Sequence, residues 1–249
     1  MKNQPAKLTR AGRRDLARAA EDFFLLQNRG YPRSAALQWV GDRYALAEGV
    51  RQLLHRGVLG QREALSRRAK RCMGADWRRE ELFVDGHNVQ ITVESAVVGR
   101  TLLLGNDKAL RDVAGQSARF RISETSEAAM DVIFRFLDEL RPPRVVFLFD
   151  APMSHSATMA AMYRERMRSL GLAGEARTAA VPEREMPYEK CVVASSDGAV
   201  LDRAPRWLDL AHAAILRSDL LQLEVDFSPL ILARGKGLEL PALADFRDP

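Results

Sequence analysis

Three short apolar runs in this chain end in an aspartate. Leu82-Phe83-Val84 runs into Asp85, Val145-Val146-Phe147-Leu148-Phe149 runs into Asp150, and Cys191-Val192-Val193-Ala194 runs through Ser195-Ser196 into Asp197. Continuous apolar runs of strand length are expected of parallel sheets, whose ligand sites lie at the carboxyl ends of the strands. If the three strands are neighbours, three carboxylates meet at one end of one sheet. Carboxylates packed together repel, and one stays protonated unless a cation intervenes. Mg2+ or Mn2+ suits such hard oxygen ligands. A cation there polarises a phosphodiester and lowers the pKa of an attacking water. Asp85, Asp150 and Asp197 are therefore candidate catalytic and metal-binding residues.

Each of these acids also has a structural reading. Asp85 can close an Asx-turn after its strand, and Asp197 can cap a helix. Ser154 and Ser156 either cap the helix that follows them or bind substrate phosphate at its N-terminus. Arg111 beside Asp112 either clamps substrate or forms an exposed ion pair. His87 and His155 lie near strand ends, where a general base or a hydrogen-bonded structural role is open to them. Cys191 opens an apolar run, which argues for burial rather than nucleophilic chemistry. Helical spacing assigns Tyr31, Trp39 and Tyr44 to the core, with base stacking as the alternative. No G-x-x-x-x-G-K-[ST] loop, G-x-G-x-x-G loop or G-x-S-x-G elbow is present.

The elements that must position the acids follow a clear order. Up to about residue 75 the periodicity is helical. A helix beginning near Thr9 or Ala11 carries Leu16, Ala19, Ala20, Phe23 and Phe24, and Asn28-Arg29-Gly30-Tyr31-Pro32 stops it. Further helices are expected with Ser34 as a cap, from about Ala47 to His55, and from Gln61 to Arg71. Residues 34–57 could form a helix-turn-helix. Residues 1–8 read as disordered. Gly74-Ala75-Asp76 reads as a junction between a basic helical domain, 1–76, and an α/β domain, 77–249. Beyond it, strand-length runs alternate with helices, which argues for a mostly parallel sheet with helices on both faces, an α/β/α fold. Leu102-Leu103-Leu104 and Leu221 to Val225 read as further strands, and residues 91–98 as helix or strand. Residues 108–115 read as a short helix or loop. Residues 156–170 and 207–217 read as helices, and a helix capped by Thr125 or Ser126 runs to Leu140.

Composition narrows the class. The chain has 249 residues, 47% hydrophobic and 29% charged, which is ordinary for a globular protein. No apolar run approaches the roughly 18 residues of a membrane span. The basic N-terminus has no secretory h-region. Two cysteines form no disulfide framework, so a cytoplasmic location is expected. Residues 1–80 hold 18 Lys and Arg against 8 Asp and Glu, while residues 81–249 hold 20 against 25. A basic first part attracts phosphate backbones, with a solvated helical face as the plain alternative.

Asp85-Gly86-His87-Asn88 resembles the Asp-Gly-x-Asn motif of the NYN branch of PIN-like nuclease domains. Val-Ala-Ser-Ser-Asp197 is similar to their later strand ending in Ser/Thr-x-Asp, and Phe147-Leu148-Phe149-Asp150 is similar to their central strand. The whole chain also resembles an uncharacterised prokaryotic family. There a basic helical domain, with patterns like Arg29–Pro32 and Val40–Tyr44, precedes a PIN-like domain. The resemblance implies an α/β/α sandwich and metal-dependent phosphodiester hydrolysis, typically of RNA. It carries Asp85, Asp150 and Asp197 over as ligands of Mg2+ or Mn2+, and Asn88 as an orienting residue toward substrate. It also implies a fourth acid, for which Asp107, Asp112 and Asp202 are the candidates. A PIN-like module that binds RNA or a protein without catalysis is the alternative.

Overall fold

The computed structural model of the protein describes residues 8–74, 76–113 and 121–232. Of residues 1–8, expected to be disordered, residues 1–7 lie outside the described residues, as do the junction residue Ala75 and the end of the segment 108–115, whereas Leu8 is half-buried against the core of the first helices. In chain order the elements begin with α1 (Arg10–Asn28), α2 (Arg33–Arg43), α3 (Glu48–Gly57) and α4 (Gln61–Lys70). Then come β1 (Leu82–Asp85), α5 (Gly86–Val97), β2 (Leu102–Leu104), β3 (Leu110–Asp112), α6 (Glu124–Leu140), β4 (Val145–Asp150) and α7 (Ser156–Leu170). The last are β5 (Gly174–Ala179), α8 (Pro182–Glu185), β6 (Val192–Ala194), α9 (Gly198–Arg203), β7 (Trp207–Leu208), α10 (Leu210–Arg217) and β8 (Leu223–Asp226). Among the described residues no helix is long and apolar enough to cross a membrane.

The chain divides into two compact units. The first gathers residues 8–69, 100–113 and 222–232, and the second residues 70–74, 76–99 and 121–221. The sequence suggested one cut near residue 76. Instead, two later stretches join the helices of the first unit. The reason is pairing and burial. β2 pairs antiparallel with β3 and parallel with β8. Leu103, Val225 and Phe227 then share a core with Leu16, Phe23, Phe24, Leu53 and Leu54. A Cβ on Gly57 would stand 2.4 Å from the Phe227 ring, so the end of α3 can approach that ring only as glycine. Residues 108–115, expected as helix or loop, contain β3 because Leu110–Asp112 finds β2 as a partner. α2 starts after Pro32, with no side-chain cap from Ser34.

The second unit is built on a five-stranded parallel sheet in the order β5-β4-β1-β6-β7, flanked by helices. β1 is central, with Leu82 beside both Val145 and Val192. All of its residues are buried, as a central parallel strand requires. Two strands escaped the sequence reading. β5 is polar and half-exposed along an edge, and β7 has only two residues at the other edge. From β1 the chain steps to β4 and β5 on one side, then returns to β6 and β7 on the other. The order reverses beside β1, which makes the β1/β6 boundary the topological switch point where crevices form in open α/β sheets. Phe134 of α6 and Tyr163 of α7 pack on Phe147 of β4 at centroid distances of 5.7 and 4.7 Å. Tyr163, fully buried, donates its hydroxyl to Gln90 Oε1 of α5, and Gln90 Nε2 donates to the Ser126 carbonyl at 2.9 Å. That buried polar chain ties α5, α6 and α7 together under the site.

Candidate functional site at the carboxyl edge of the sheet

Asp85 and Asp150 are the last residues of β1 and β4, and Asp197 lies three residues beyond β6. These are three adjacent strands of one parallel sheet, so the acids sit at one edge. Asp85 is paired in register with Leu148, so Asp150 extends two residues farther along its strand.

Asp85 is the buried member, 8% exposed. β1 turns directly into α5, and the Asp85 side chain caps that helix, accepting from Asn88 N–H at 3.3 Å. Gly86 makes the sharp entry possible. A Cβ there would lie 2.7 Å from the Phe149 ring and 2.9 Å from the Leu148 carbonyl oxygen. The other carboxylate oxygen of Asp85 accepts the Ser195 hydroxyl at 2.9 Å across the switch point. Burial pushes the Asp85 carboxyl up to about 7. The Ser195 and Asn88 hydrogen bonds pull it down, and the neighbouring charges of Asp150 and Asp197 push it further up.

Asn88, Ser195 and Ser196 bind the two sides of the switch point. Asn88 Oδ1 accepts from Ser196 N–H at 2.8 Å and from the Ser196 hydroxyl at 3.1 Å. Ser195 Oγ also accepts from Asp197 N–H at 3.0 Å. Asp197 is exposed and caps α9, its Oδ1 accepting from Ala199 N–H at 2.9 Å and Val200 N–H at 3.2 Å. Ser195 was passed over as a site residue. The Ser-x-Asp spacing at the end of β6 was the available signal.

His87 has a structural task. Asp150 N–H donates to His87 Nδ1 at 3.0 Å, and Asp150 Oδ2 lies 3.2 Å from the same nitrogen. A backbone amide always carries its proton, so toward it Nδ1 is the acceptor. The carboxylate contact is therefore proximity, not a second hydrogen bond. The ring is fully buried and meets Phe149 edge-on at 5.2 Å. His87 thereby fixes the end of β4, and Asp150 with it, to the start of α5.

The remaining candidates fall elsewhere. Arg111 and Asp112 belong to β3 of the first unit. Arg111 is buried and grips Asp107 with two nitrogens, at 2.8 and 2.6 Å, so it is neither a substrate clamp in reach of solvent nor an exposed helix pair. The Asp112 carbonyl accepts from Arg56 at 2.9 Å. Asp202 is exposed on α9, and its carbonyl accepts from Lys70 Nζ at 3.0 Å. Ser156 is buried and donates to the Ala151 carbonyl at 3.3 Å. Ser154 is exposed, and neither serine caps α7, whose cap residue is His155 in the left-handed conformation. Cys191 is buried, and burial raises its thiol to about 11, which disfavours a nucleophilic thiolate. Beside the acids, Tyr188 feels the charges of Asp85 and Asp197, and the Arg203 guanidinium stacks 4.7 Å from its ring. Both line a cavity of about 500 Å³ with Pro187, Glu189 and Lys190.

The donor chemistry fits a hard divalent cation. The hydrogen bonds described above leave lone pairs on the carboxylates of Asp85, Asp150 and Asp197, and Mg2+ usually takes one or two protein carboxylates, completing its shell with water and phosphate. Among the described residues no group of three or more His, Cys, Asp and Glu side chains is drawn together as a ready cation cage.

Residues 75–213, more than half of the chain, match the family model described as a domain of unknown function (DUF5616), and the chain belongs to that family. Residues 15–70 match a second model, a protein of unknown function (DUF434). The chain is similar to the uncharacterized protein MJ0935 of Methanocaldococcus jannaschii. The two are 29% identical over 186 residues, which cover 75% of this chain and 88% of that protein. No solved structure matches the chain significantly.

Proposed function

We propose that the protein is a metal-dependent phosphodiester hydrolase acting on RNA, in which one or two carboxylates of the set Asp85, Asp150 and Asp197 hold a Mg2+ or Mn2+ ion whose shell is completed by water and substrate phosphate. One observation carries this reading. Asp85 and Asp150 end the neighbouring strands β1 and β4, Asp197 follows the neighbouring strand β6 by three residues, and the central acid, Asp85, is buried with the charges of the other two adding to the effect of burial. An acid pushed toward its neutral form by burial, and further by like charges, is costly to ionise unless something positive arrives to compensate it. The bound cation would supply charge neutralisation and an activated water. The chain's own residues do the positioning. Ser195 and the Asn88 amide orient the Asp85 carboxylate, and His87 anchors the end of β4 through the Asp150 amide. Asn88 latches α5 to the β6 loop through Ser196. Tyr188 and Arg203 offer a ring and a guanidinium to a nucleotide.

The test is cleavage of single-stranded RNA by purified protein with Mn2+. Asp85→Asn is expected to lower the rate at least about hundredfold, the scale of losing a transition-state electrostatic contact, with its circular dichroism unchanged. Equal rates in the two proteins would overturn the assignment. A second reading, a module that binds RNA or a partner protein without turnover, is favoured by the structural employment of the acids. Asp85 and Asp197 both cap helices. Under that reading RNA binding is indifferent to Mn2+ and to Asp85→Asn.

A further inference from the structure

We infer that the first unit carries a binding surface for single-stranded nucleic acid, on which Tyr31 and Trp39 stack bases while Arg10, Arg14, Arg18 and Arg29 hold phosphates. The inference rests on the reading of the protein as one that handles RNA, but it concerns residues of the other unit and does not use the acids. Helical spacing placed both aromatic residues in the core. Instead Tyr31 is 45% exposed and Trp39 52% exposed. They meet edge to face, with centroids 5.8 Å apart and planes at 76°. About half of each residue's surface stays open to a base. The position of Tyr31 is fixed. Gly30 takes a left-handed φ of +85°, Pro32 caps α2, and Tyr31 N–H donates to the Leu26 carbonyl at 3.1 Å. A rigid platform loses little freedom when a base stacks on it.

The charge around the pair selects the occupant. Residues 8–69 hold 12 arginines against 6 Asp and Glu. Arg10, Arg14 and Arg18 are exposed at four-residue spacing on α1, so they share one face at steps of about 6 Å along the axis. Arg29 follows Arg18 by eleven residues, about three turns, and so returns to that face at the end of the helix, two residues before Tyr31. Neither α1 nor α2 shows another exposed large apolar side chain among the described residues. A protein-docking centre would be expected to carry one, whereas rings interleaved with cations are the composition of single-strand binding surfaces.

The protein reports on this site directly. Of its three tryptophans, Trp77 and Trp207 are 2% and 0% exposed, so the emission that a ligand can reach is that of Trp39. The full chain is titrated with a fluorescein-labelled 12-nucleotide oligouridylate in EDTA, where no metal-dependent turnover enters, reading both tryptophan emission and anisotropy. Quenching of the emission on binding is expected. Trp39→Ala and Tyr31→Ala should each raise Kd roughly tenfold, the scale of one lost base stack, while Trp39→Phe keeps most of the affinity. The pair Arg14→Gln with Arg18→Gln should flatten the slope of log K against log salt by about 1.4, at about 0.7 per phosphate contact. Unchanged emission at saturating oligonucleotide, an unchanged Kd in both alanine variants, or equal affinity for a duplex of the same length would overturn the inference. So would self-association of the wild type that Trp39→Ala abolishes, since the pair would then be a protein interface. Loss of binding alongside intact Mn2+-dependent cleavage would remove this surface alone. Retained binding without cleavage would remove only the hydrolase.

Discussion

Two buried aspartates, one in each unit, sit in opposite electrostatic worlds. Asp107 in the first unit is fully buried, and burial by itself would raise its carboxyl. Arg111 and Arg67 outweigh that effect. Arg111 binds it with two nitrogens and Arg67 at 3.1 Å, and together they hold it at about 2. Arg67 in turn reaches Glu63 at 2.6 Å. Asp85 in the second unit is nearly as buried, yet its charged neighbours are two more carboxylates, and it stands at about 7. The same residue type is held by two cations in one place and by two neutral donors in the other. The difference lies in the charge of the neighbours: two guanidinium groups for Asp107, two carboxylates for Asp85.

The largest expected effect breaks the fastened side. Asp107→Asn leaves two buried arginines without their carboxylate and should lower the unfolding free energy by about 3–5 kcal/mol, read from the denaturant midpoint. A loss under about 1 kcal/mol would mean that the arginines find other partners. The two acids should also respond oppositely to pH. Asp107 lies below its ordinary value, so the stability it adds is present above pH 4 and is lost as pH falls toward 2. Asp85 lies above its ordinary value, so the folded chain keeps a proton that the unfolded chain releases between pH 4 and 7. Stability therefore falls as pH rises through that window. Asp85→Asn should flatten the decline and gain about 2–4 kcal/mol over wild type at pH 8, at roughly 1.4 kcal/mol per pH unit. The two proteins should converge near pH 4. Melting curves at those pH values check this, and parallel curves would remove the raised carboxyl.

A smaller effect tests the cation. At pH 8, Mn2+ at tenfold over its dissociation constant should stabilise wild type by about 1.4 kcal/mol, and Asp85→Asn much less. Equal shifts in the two proteins would place the ion elsewhere. The smallest effect is that of Ser195→Ala, which removes one hydrogen bond to Asp85 and one acceptor for Asp197 N–H. It should cost about 1 kcal/mol below pH 7 and move the Asp85 titration upward, visible as a displaced midpoint in the stability–pH curve.

Much of the second unit was legible in the sequence. The runs into Asp85 and Asp150 became β1 and β4, and the run before Ser195 became β6. Helix α7 ended at Gly171, whose φ of +63° is the left-handed form that glycine adopts without strain. β5 escaped because Gly174–Ala179 has no apolar alternation, and β7 because two residues show no period at all. Thr125 and Ser126 were both plausible caps for α6, but Ser123 took the position, in a reciprocal bond with Ser126. The site was half legible. The acids and Asn88 announced themselves by type and spacing, the Ser-x-Asp spacing pointed to Ser195, and a structural role was open to His87, but their partners, the Asp85 carboxylate and the Asp150 amide, lie 110 and 63 residues away and do not follow from the chain.

The sequence by itself determined what local chemistry determines: which runs are apolar enough to be strands, where glycine and proline stop a helix, and that three apolar runs lead into acids. Only the tertiary structure decided which strands lie together. Leu102–Leu104 carries the same continuous apolar signal as the strands of the parallel sheet, yet it pairs with β3 and β8 in the first unit. Pairing depends on what covers each face, and that information sits far away along the chain. The same holds for the aspartates. Asp85, Asp107 and Asp112 are alike as letters, and burial with or without an arginine in reach separates them. Tyr31 and Trp39 make the point from the other side, since a spacing fit for a core was left in water, where no partner face arrived to bury it.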